Sequence, residues 1–335
     1  MRVLITGGAG FIGTNLASAL AQGGDQVVVF DNLSRRGVSD NLEWLTTHHP
    51  GIQFVHGDVR DAEALADVVR GADRIFHLAA QVAVTTSVVD PRTDFEINLL
   101  GAVNALEAAR LHAPEAPFFF TSTNKVYGGM EDLRIVRRGE RYEYEDLPTG
   151  VAESRPLDFH SPYGCSKGGA DQYVRDYARI YNLPTVVFRM SCIYGPHQCG
   201  NEDQGWVAHF AREALAGRGL SFYGDGRQVR DVLYVGDLVR AFRMAADAID
   251  RTAGEVFNIG GGPENTTSLL ELVAELEEIC GHKVPVNYAP WRPGDQRIYV
   301  SDVRKAGEVF GWAPQVSRTE GVRRLIDWLR ESNLD

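Results

Sequence analysis

Short apolar runs alternate with segments of helical periodicity along the first 190 residues. Such runs, flanked by Gly or Asp, are the pattern of strands buried on both faces of a sheet. The predicted strands lie near 3–5, 26–30, 52–55, 74–78, 117–122 and 184–189, with helices near 11–22, 61–70, 93–112 and 162–182. Alternating strands and helices predict an α/β fold with a doubly wound parallel sheet and right-handed crossovers.

The pattern loosens after residue 190. Segments rich in Gly, Pro and aromatic residues separate predicted helices near 204–217, 236–250 and 267–281. A chain of 335 residues also exceeds the roughly 250–300 residues at which one core stops growing. We therefore expect a first domain over 1–190 and a smaller C-terminal substrate lobe over 191–335, with some segments returning to the first. A polar stretch at 129–158 has no clear periodicity and is predicted to be a surface insertion, either a lid or a loop.

Composition narrows the class of protein. The net charge of −11 and the lack of a basic tract argue against nucleic acid as a partner. No run approaches the ~20 apolar residues of a membrane helix, and the N-terminus has no signal-peptide pattern. No residue spacing indicates a metal site. The cysteines lack CxxC spacing and are expected to be free thiols in the cytoplasm; they are Cys165, Cys192, Cys199 and Cys280.

A glycine-rich loop joins the first predicted strand to the first helix. Gly7 permits a tight turn, Gly10 lets the backbone approach a pyrophosphate, and Gly13 lets the helix pack closely. The helix N-terminus would then present unpaired N–H groups to the phosphates. Asp31 ends the second strand, where a carboxylate accepts hydrogen bonds from ribose hydroxyls and repels a 2′-phosphate. This favours NAD over NADP, although Arg35 and its neighbour Arg36 weaken the preference.

Further predicted cofactor contacts share a position beside the glycine loop or at the carboxyl end of a strand. Small side chains after the fourth strand would leave room for ribose and phosphates, and residues after the third strand would meet the adenine. These candidates are Phe11, Ile12, Asn32, Ser34, Arg35, Asp58, Val59, Leu78, Ala79, Ala80 and Thr121.

Three further residues form a candidate catalytic set. Tyr163 and Lys167 are four residues apart, a spacing that places both on one face of a helix. A nearby ammonium favours the phenolate and lowers the tyrosine pKa from its usual ~10. Tyr163 is therefore the candidate proton acceptor, with Lys167 tuning it and holding the nicotinamide ribose. Thr123, which ends the fifth strand, is expected to hydrogen-bond the reacting oxygen of the substrate.

With these motifs the chain resembles the extended short-chain dehydrogenases/reductases of the nucleotide-sugar epimerase and dehydratase type. The resemblance runs from end to end and includes the segments 194–196 and 230–237. It implies a Rossmann domain for NAD over 1–190 and a nucleotide-sugar lobe over 191–335. It also implies a homodimer built on a four-helix bundle, formed by the helices near 93–112 and 162–182.

The residues after Thr123 separate branches of this family. Dehydratases of the group carry Asp-Glu there as acid and base, whereas this chain has Asn124 and Lys125, which disfavours a 4,6-dehydratase. Longer stretches resemble the CDP-tyvelose (CDP-paratose 2-) epimerase branch: 122–128, 158–168, 203–207, 228–233 and 295–297. That resemblance implies C2 epimerisation of CDP-paratose to CDP-tyvelose through a transient 2-keto sugar.

Candidate substrate contacts complete the hypothesis. Besides Thr123 and Tyr163, Asn124 is expected to hold the sugar, and Arg230 and Arg292 are candidates for the pyrophosphate. His197 and Gln198 are candidates for lining the sugar pocket. A 4-epimerase acting on a UDP- or GDP-hexose would use the same Tyr, Thr and Lys. It therefore stays an alternative, as do a dehydratase of the same family and a non-catalytic NAD sensor.

Overall fold

A computed structural model describes residues 1–292 and 295–332. Its strands are β1 (Arg2–Thr6), β2 (Gln26–Asp31), β3 (Gln53–His56), β4 (Arg74–His77), β5 (Phe118–Thr123), β6 (Ile135–Arg138), β7 (Arg141–Tyr144), β8 (Thr185–Met190), β9 (Cys192–Tyr194), β10 (Leu220–Tyr223), β11 (Val229–Tyr234), β12 (Val256–Ile259), β13 (Thr266–Ser268), β14 (Val286–Ala289) and β15 (Ile298–Tyr299).

The helices are α1 (Phe11–Gln22), α2 (Val38–His48), α3 (Ala62–Val69), α4 (Val84–Val89), α5 (Pro91–Phe95), α6 (Gly101–His112), α7 (Ser161–Tyr181), α8 (Trp206–Leu215), α9 (Val235–Asp247), α10 (Ile249–Thr252), α11 (Leu269–Cys280), α12 (Arg304–Phe310) and α13 (Arg318–Glu331). In the parts of the chain that the structure describes, no helix is long and apolar enough to cross a membrane.

A seven-stranded parallel sheet in the order β12-β8-β5-β4-β1-β2-β3 forms the main body. The strand order reverses between β1 and β4, and ligands of open α/β sheets bind at the carboxyl ends of the strands at such a point. The predicted fold class, a doubly wound parallel sheet of Rossmann type, is confirmed.

Two apolar layers cover this sheet and fix the register of its strands. Phe119 of β5 stacks on Phe76 of β4, with ring centroids 4.7 Å apart, and belongs to one layer. Phe118 and Phe120 belong to the other. Every residue of β5 is buried, so the strand holds its carboxyl end, Thr123, in a fixed position.

A smaller lobe follows β8. Its four-stranded sheet is centred on β11, which pairs with β9, β13 and β15, and a second pair joins β10 to β14. An apolar cluster that includes residues of α8, α11 and α13 packs this lobe. However, β12 belongs to the large sheet, where it pairs with β8. The part of the chain beyond residue 190 therefore contributes to both bodies.

The insertion at 129–158 contains an antiparallel hairpin, β6–β7, that the sequence analysis did not predict. Its strands are too short to show a clear period. Tyr142 Oη donates a hydrogen bond to Asp225 Oδ2 (2.7 Å), and Tyr144 Oη donates to the carbonyl of Ile298 (3.1 Å). The hairpin is thus docked on the smaller lobe through tyrosine hydroxyls.

The helix predicted near 93–112 is interrupted. It consists of α5, a π-helical turn at Glu96–Leu100 and α6. Asn98 in the π turn donates to Asp94 Oδ1 (3.0 Å) and to the carbonyl of Gln81 (2.9 Å). Such turns often occur at functional sites, and Ile97 of this one lines a cavity at the carboxyl ends of the large sheet.

Candidate active site

The glycine loop has the close approaches that its sequence predicts. Gly7 has φ +68°, and a Cβ there would lie 2.7 Å from the backbone of Ala79. A Cβ on Gly13 would lie 2.4 Å from the carbonyl oxygen of Gly7. Gly10 is the N-cap of α1 and makes no side-chain cap. The first N–H groups of the helix therefore stay free for an anion.

A cavity of about 460 Å³ opens at the carboxyl ends of the large sheet. All residues predicted to bind the cofactor line it, from the glycine loop to the start of α7. They are Gly7, Gly10, Phe11, Ile12, Gly13, Asp31, Asn32, Ser34, Arg35, Asp58, Val59, Leu78, Ala79, Ala80, Thr121, Tyr163 and Lys167. The arrangement fits an extended dinucleotide that begins at the glycine loop and ends at α7.

The two acidic residues of this cavity are held differently. Asp31 accepts hydrogen bonds from the N–H of Leu33 (2.9 Å) and of Ala9 (3.2 Å), while burial raises its pKa. Asp58 accepts from Asn32 Nδ2 (2.8 Å) and forms a fork with Arg60, which holds the Asp58 pKa well below its usual range. Asp31 is thus fixed to the glycine loop, in the position predicted for a ribose contact.

The catalytic candidates meet where β5 ends and α7 begins. Tyr163 lies in the first turn of α7, where its N–H donates to Ser87 Oγ (3.2 Å). Its phenol lies near the Thr123 side chain, which favours the ionised form. Lys167 follows one turn later, with Nζ 4.2 Å from the ring centroid of Phe120. Tyr163, Lys167 and Thr123 are 9%, 3% and 8% exposed, so water has little access to them.

Burial dominates the protonation of this set. It raises the pKa of Tyr163 to about 12, against the opposing effects of the nearby Thr123 side chain and the charge of Arg35. It lowers the pKa of Lys167 to about 7, against the charges of Asp171 and Asp94. Burial thus dominates the pKa of Tyr163, and Arg35 is the cation that opposes it. The tuning of Tyr163 by Lys167 stays a prediction.

A buried ion pair beneath the catalytic set was not predicted. Arg189 donates from Nε and Nη2 to the two carboxylate oxygens of Asp171, both at 2.9 Å, and Ser122 Oγ donates to the same carboxylate (2.8 Å). The contacts tie α7 to β8 and β5. The signal in the sequence was weak: Asp171 lies one helical turn beyond Lys167, and Arg189 is a charge inside an apolar strand.

Three of the predicted substrate contacts, Asn124, Arg230 and Arg292, already make hydrogen bonds or ion pairs within the protein. Asn124 is buried and accepts a hydrogen bond from Thr123 Oγ1 (3.3 Å). Arg230 donates to Asp295 Oδ1 (2.8 Å) and to the carbonyl of Gln296 (2.6 Å). Arg292 contacts Asp203 (2.9 Å) and lies over the ring of Tyr223 at 3.6 Å. Both arginines thus have protein acceptors, and their pyrophosphate contacts stay predictions.

His197 and Gln198 line the same cavity as the predicted cofactor contacts. The His197 ring packs on Trp44 and Trp328, with centroids 4.3 and 5.2 Å away, and burial lowers its pKa to about 4. Gln198 Nε2 donates to the carbonyl of Ile193 (3.1 Å). Aromatic packing thus holds the histidine ring at the cavity wall, and contacts of these two side chains with the sugar stay predictions.

The fold and this site define a class of protein. Residues 4–325 match the family described as GDP-mannose 4,6 dehydratase. The chain therefore belongs to this family of epimerases and dehydratases, within the extended short-chain dehydrogenases/reductases, and is an enzyme.

Particular relatives narrow the comparison. A CDP-paratose 2-epimerase from Salmonella typhi is 46% identical over 98% of this chain and 99% of its own length. A Thermotoga maritima UDP-glucose 4-epimerase, solved with UDP-glucose, has a TM-score of 0.85 and 34% identity, covering 99% of this chain and 100% of its own. A Streptomyces venezuelae dTDP-glucose 4,6-dehydratase, solved with NAD, has a TM-score of 0.85 and 33% identity, covering 99% and 98%. The predicted resemblance and NAD as the cofactor of this family are confirmed.

Proposed function

We propose that this enzyme epimerises CDP-paratose to CDP-tyvelose at C2 through transient oxidation to a 2-keto sugar, with NAD as its cofactor. The identity of 46% to a CDP-paratose 2-epimerase carries this proposal, against 34% and 33% to a 4-epimerase and a dehydratase. Asn124 and Lys125 agree with it, because neither can supply the carboxylic acid of a dehydratase.

Tyr163 and Thr123 have different roles in the proposed reaction. When bound, NAD⁺ supplies the acceptor of the C2 hydrogen and, once reduced, its donor. Tyr163 accepts the proton of the C2 hydroxyl as the C2–H bond breaks, and Thr123 hydrogen-bonds the same oxygen. The 2-keto sugar turns over and presents its other face. Tyr163 then returns the proton to the oxygen as hydrogen returns to C2, which leaves the cofactor oxidised again.

Electrostatics explain why the base needs a cationic partner. The phenol of Tyr163 ionises only near pH 12 in its buried setting. The positive nicotinamide ring of NAD⁺ and the charge of Arg35 both favour the phenolate. Lys167, in reach of Asp94 and Asp171, is suited to hold the nicotinamide ribose. Proton abstraction thus depends on an oxidised cofactor in the site.

We propose a homodimer through α6 and α7, as the resemblance implies. Both helices carry large apolar side chains on the surface of the chain: Leu111 of α6 is 59% exposed, and Ile180 and Tyr181 of α7 are 63% and 50% exposed. Apolar side chains gathered on neighbouring helices are typical of an interface.

We also propose that the enzyme is cytoplasmic, since free cysteines suit a reducing compartment.

The substrate assignment is tested by proton NMR with a panel of nucleotide sugars. We expect new anomeric and H2 signals with CDP-paratose, and no reaction with UDP-glucose, GDP-mannose or dTDP-glucose. Conversion of UDP-glucose to its C4 epimer, with CDP-paratose unchanged, would establish the 4-epimerase alternative instead. The Tyr163→Phe variant serves as the control for enzyme-dependent turnover.

A further inference from the structure

Lys125 lies beside the catalytic hydroxyl and reaches towards the smaller lobe. It stands on a 3₁₀ turn at Asn124–Tyr127, directly after β5, and its backbone N–H donates to Thr123 Oγ1 (3.2 Å). Its ammonium lies 3.5 Å from Gln296 Oε1 and 3.9 Å from Asp295 Oδ1. The side chain thus spans from the reacting centre to the segment that carries Asp295.

The charges around this ammonium do not balance. Asp295 Oδ1, 3.9 Å from Lys125 Nζ, also accepts from Arg230 Nη2 at 2.8 Å. Two cations therefore share one carboxylate, and burial together with the Arg230 charge lowers the pKa of Lys125. A partly buried cluster with one excess positive charge favours an additional anion.

We propose that Lys125 binds the β-phosphate of the nucleotide sugar, next to Arg230, and thereby fixes the sugar at the catalytic residues. The proposal rests on the proposed function, in which C2 reacts. C2 is bonded to C1, and C1 carries the β-phosphate through its oxygen, whereas C4 lies across the ring. A phosphate held by a residue two positions from Thr123 therefore suits reaction at C2.

Lysine has the properties that this role needs. Its ammonium is a point charge with three donors on a flexible stem, so it can keep contact with a phosphate while the sugar turns over. Gln296 Nε2 donates to the carbonyl of Gly128 (2.6 Å), which leaves its Oε1 facing the lysine. Gln296 thus orients the lysine side chain, while the ammonium keeps donors for a second acceptor.

The test compares two ligands that differ only in the β-phosphate. The affinities of CDP and CMP are measured by calorimetry for the NAD-loaded enzyme and for Lys125→Met. Loss of a charged hydrogen bond predicts that the CDP-to-CMP affinity ratio falls about tenfold, while CMP binding is unchanged. Lys125→Arg, which keeps the charge, should recover much of the ratio. Lys283→Met, at a lysine that is 91% exposed and paired with Glu277, is the matched control and should leave the ratio unchanged.

An unchanged ratio in Lys125→Met would overturn the proposal. Equal losses for CDP and CMP would also contradict it, because they would indicate a general disturbance of the lobe. If the wild-type enzyme binds uridine rather than cytidine nucleotides, the CDP assignment of the proposed function fails. The same ratio, measured with UDP and UMP, then still decides the role of Lys125.

Discussion

Tyr163, the proposed catalytic base, lies in surroundings that oppose its ionisation. It lies almost fully buried beside Thr123, and burial raises its pKa to about 12. The same burial excludes water, which protects a reactive keto sugar from side reactions. We therefore expect the residue to act as a base only when the positive nicotinamide ring of NAD⁺ adds to the effect of Arg35.

Replacement of the phenol tests this role. Tyr163→Phe should reduce turnover by a factor of about 10² to 10⁴, as expected for loss of a general acid–base group, while bound NAD stays near the wild-type level. The measurement combines NMR turnover with the NAD content of the purified variant. Tyr173→Phe, an exposed position on the same helix, is the control. Normal turnover in Tyr163→Phe would contradict the mechanism.

Asp31 is expected to select NAD over NADP. It is fixed by the N–H groups of Leu33 and Ala9. In Asp31→Ala, loss of the ribose contact and of its repulsion of a 2′-phosphate should reduce the NAD-to-NADP affinity ratio by about tenfold or more. Titration with both dinucleotides gives the ratio, and Asp40→Ala on the exposed side of α2 is the control. An unchanged preference would remove Asp31 from the ribose site.

At the scale of elements, α7 is the support of the catalytic set. It carries Tyr163 and Lys167, and it is tied to β5 and β8 through Asp171, Arg189 and Ser122. The helix and its two proposed catalytic residues can be predicted from the sequence because both signals are local. The ion pair joins residues of two elements, so only the packed structure brings its partners together.

Removal of one partner of the Asp171–Arg189 ion pair should destabilise the folded protein. Asp171→Asn leaves the Arg189 guanidinium buried without its counter-charge, and we expect the free energy of unfolding to fall by about 3–5 kcal/mol. Urea unfolding followed by circular dichroism measures the change. Asp176→Asn, at an exposed aspartate of the same helix, should have little effect. Similar stability in the two variants would show that the pair is not a support of α7.

Prediction from sequence succeeded where the signal is local and failed where it depends on packing. The glycine loop and the residues at the strand ends could be predicted from the sequence. They line one cavity because the carboxyl ends of parallel strands lie at the same edge of the sheet. The hairpin β6–β7 was missed because its strands are short, and β12 because its four residues follow the apparent end of the large sheet. The packing of the His197 ring on Trp44 and Trp328 could not be predicted, because these tryptophans are distant in sequence.

At the scale of the whole molecule, one buried histidine makes stability depend on pH. His77 ends β4, hydrogen-bonds to Thr6 Oγ1 (2.9 Å), and burial together with the Lys167 charge lowers its pKa to about 3. The folded chain keeps this ring neutral, whereas the unfolded chain protonates it below about pH 6.5. The contribution of His77 to stability is therefore fully present above that pH and is lost as the pH falls from 6.5 towards 3.

The contribution of His77 is measurable by difference. As the pH falls through that window, protonation of His77 in the unfolded chain should lower the free energy of unfolding by about 1.4 kcal/mol per pH unit. His77→Phe, which keeps an aromatic ring between Phe118 and Phe120, should lose less stability between pH 7.5 and 5.0 than the wild type. His56→Phe, at an exposed histidine, is the control. Parallel pH dependences of all three proteins would contradict this account.

The central claim is that hydrogen leaves C2 and returns to C2 within one enzyme. It is tested most directly by proton NMR of the enzyme with CDP-paratose in D₂O. The account predicts the C2 epimer with protium retained at C2, because a bound cofactor stores the hydrogen and does not exchange it with solvent. Formation of the epimer with solvent deuterium at C2 would contradict it, since the carbon would then be epimerised by proton abstraction rather than by oxidation and return.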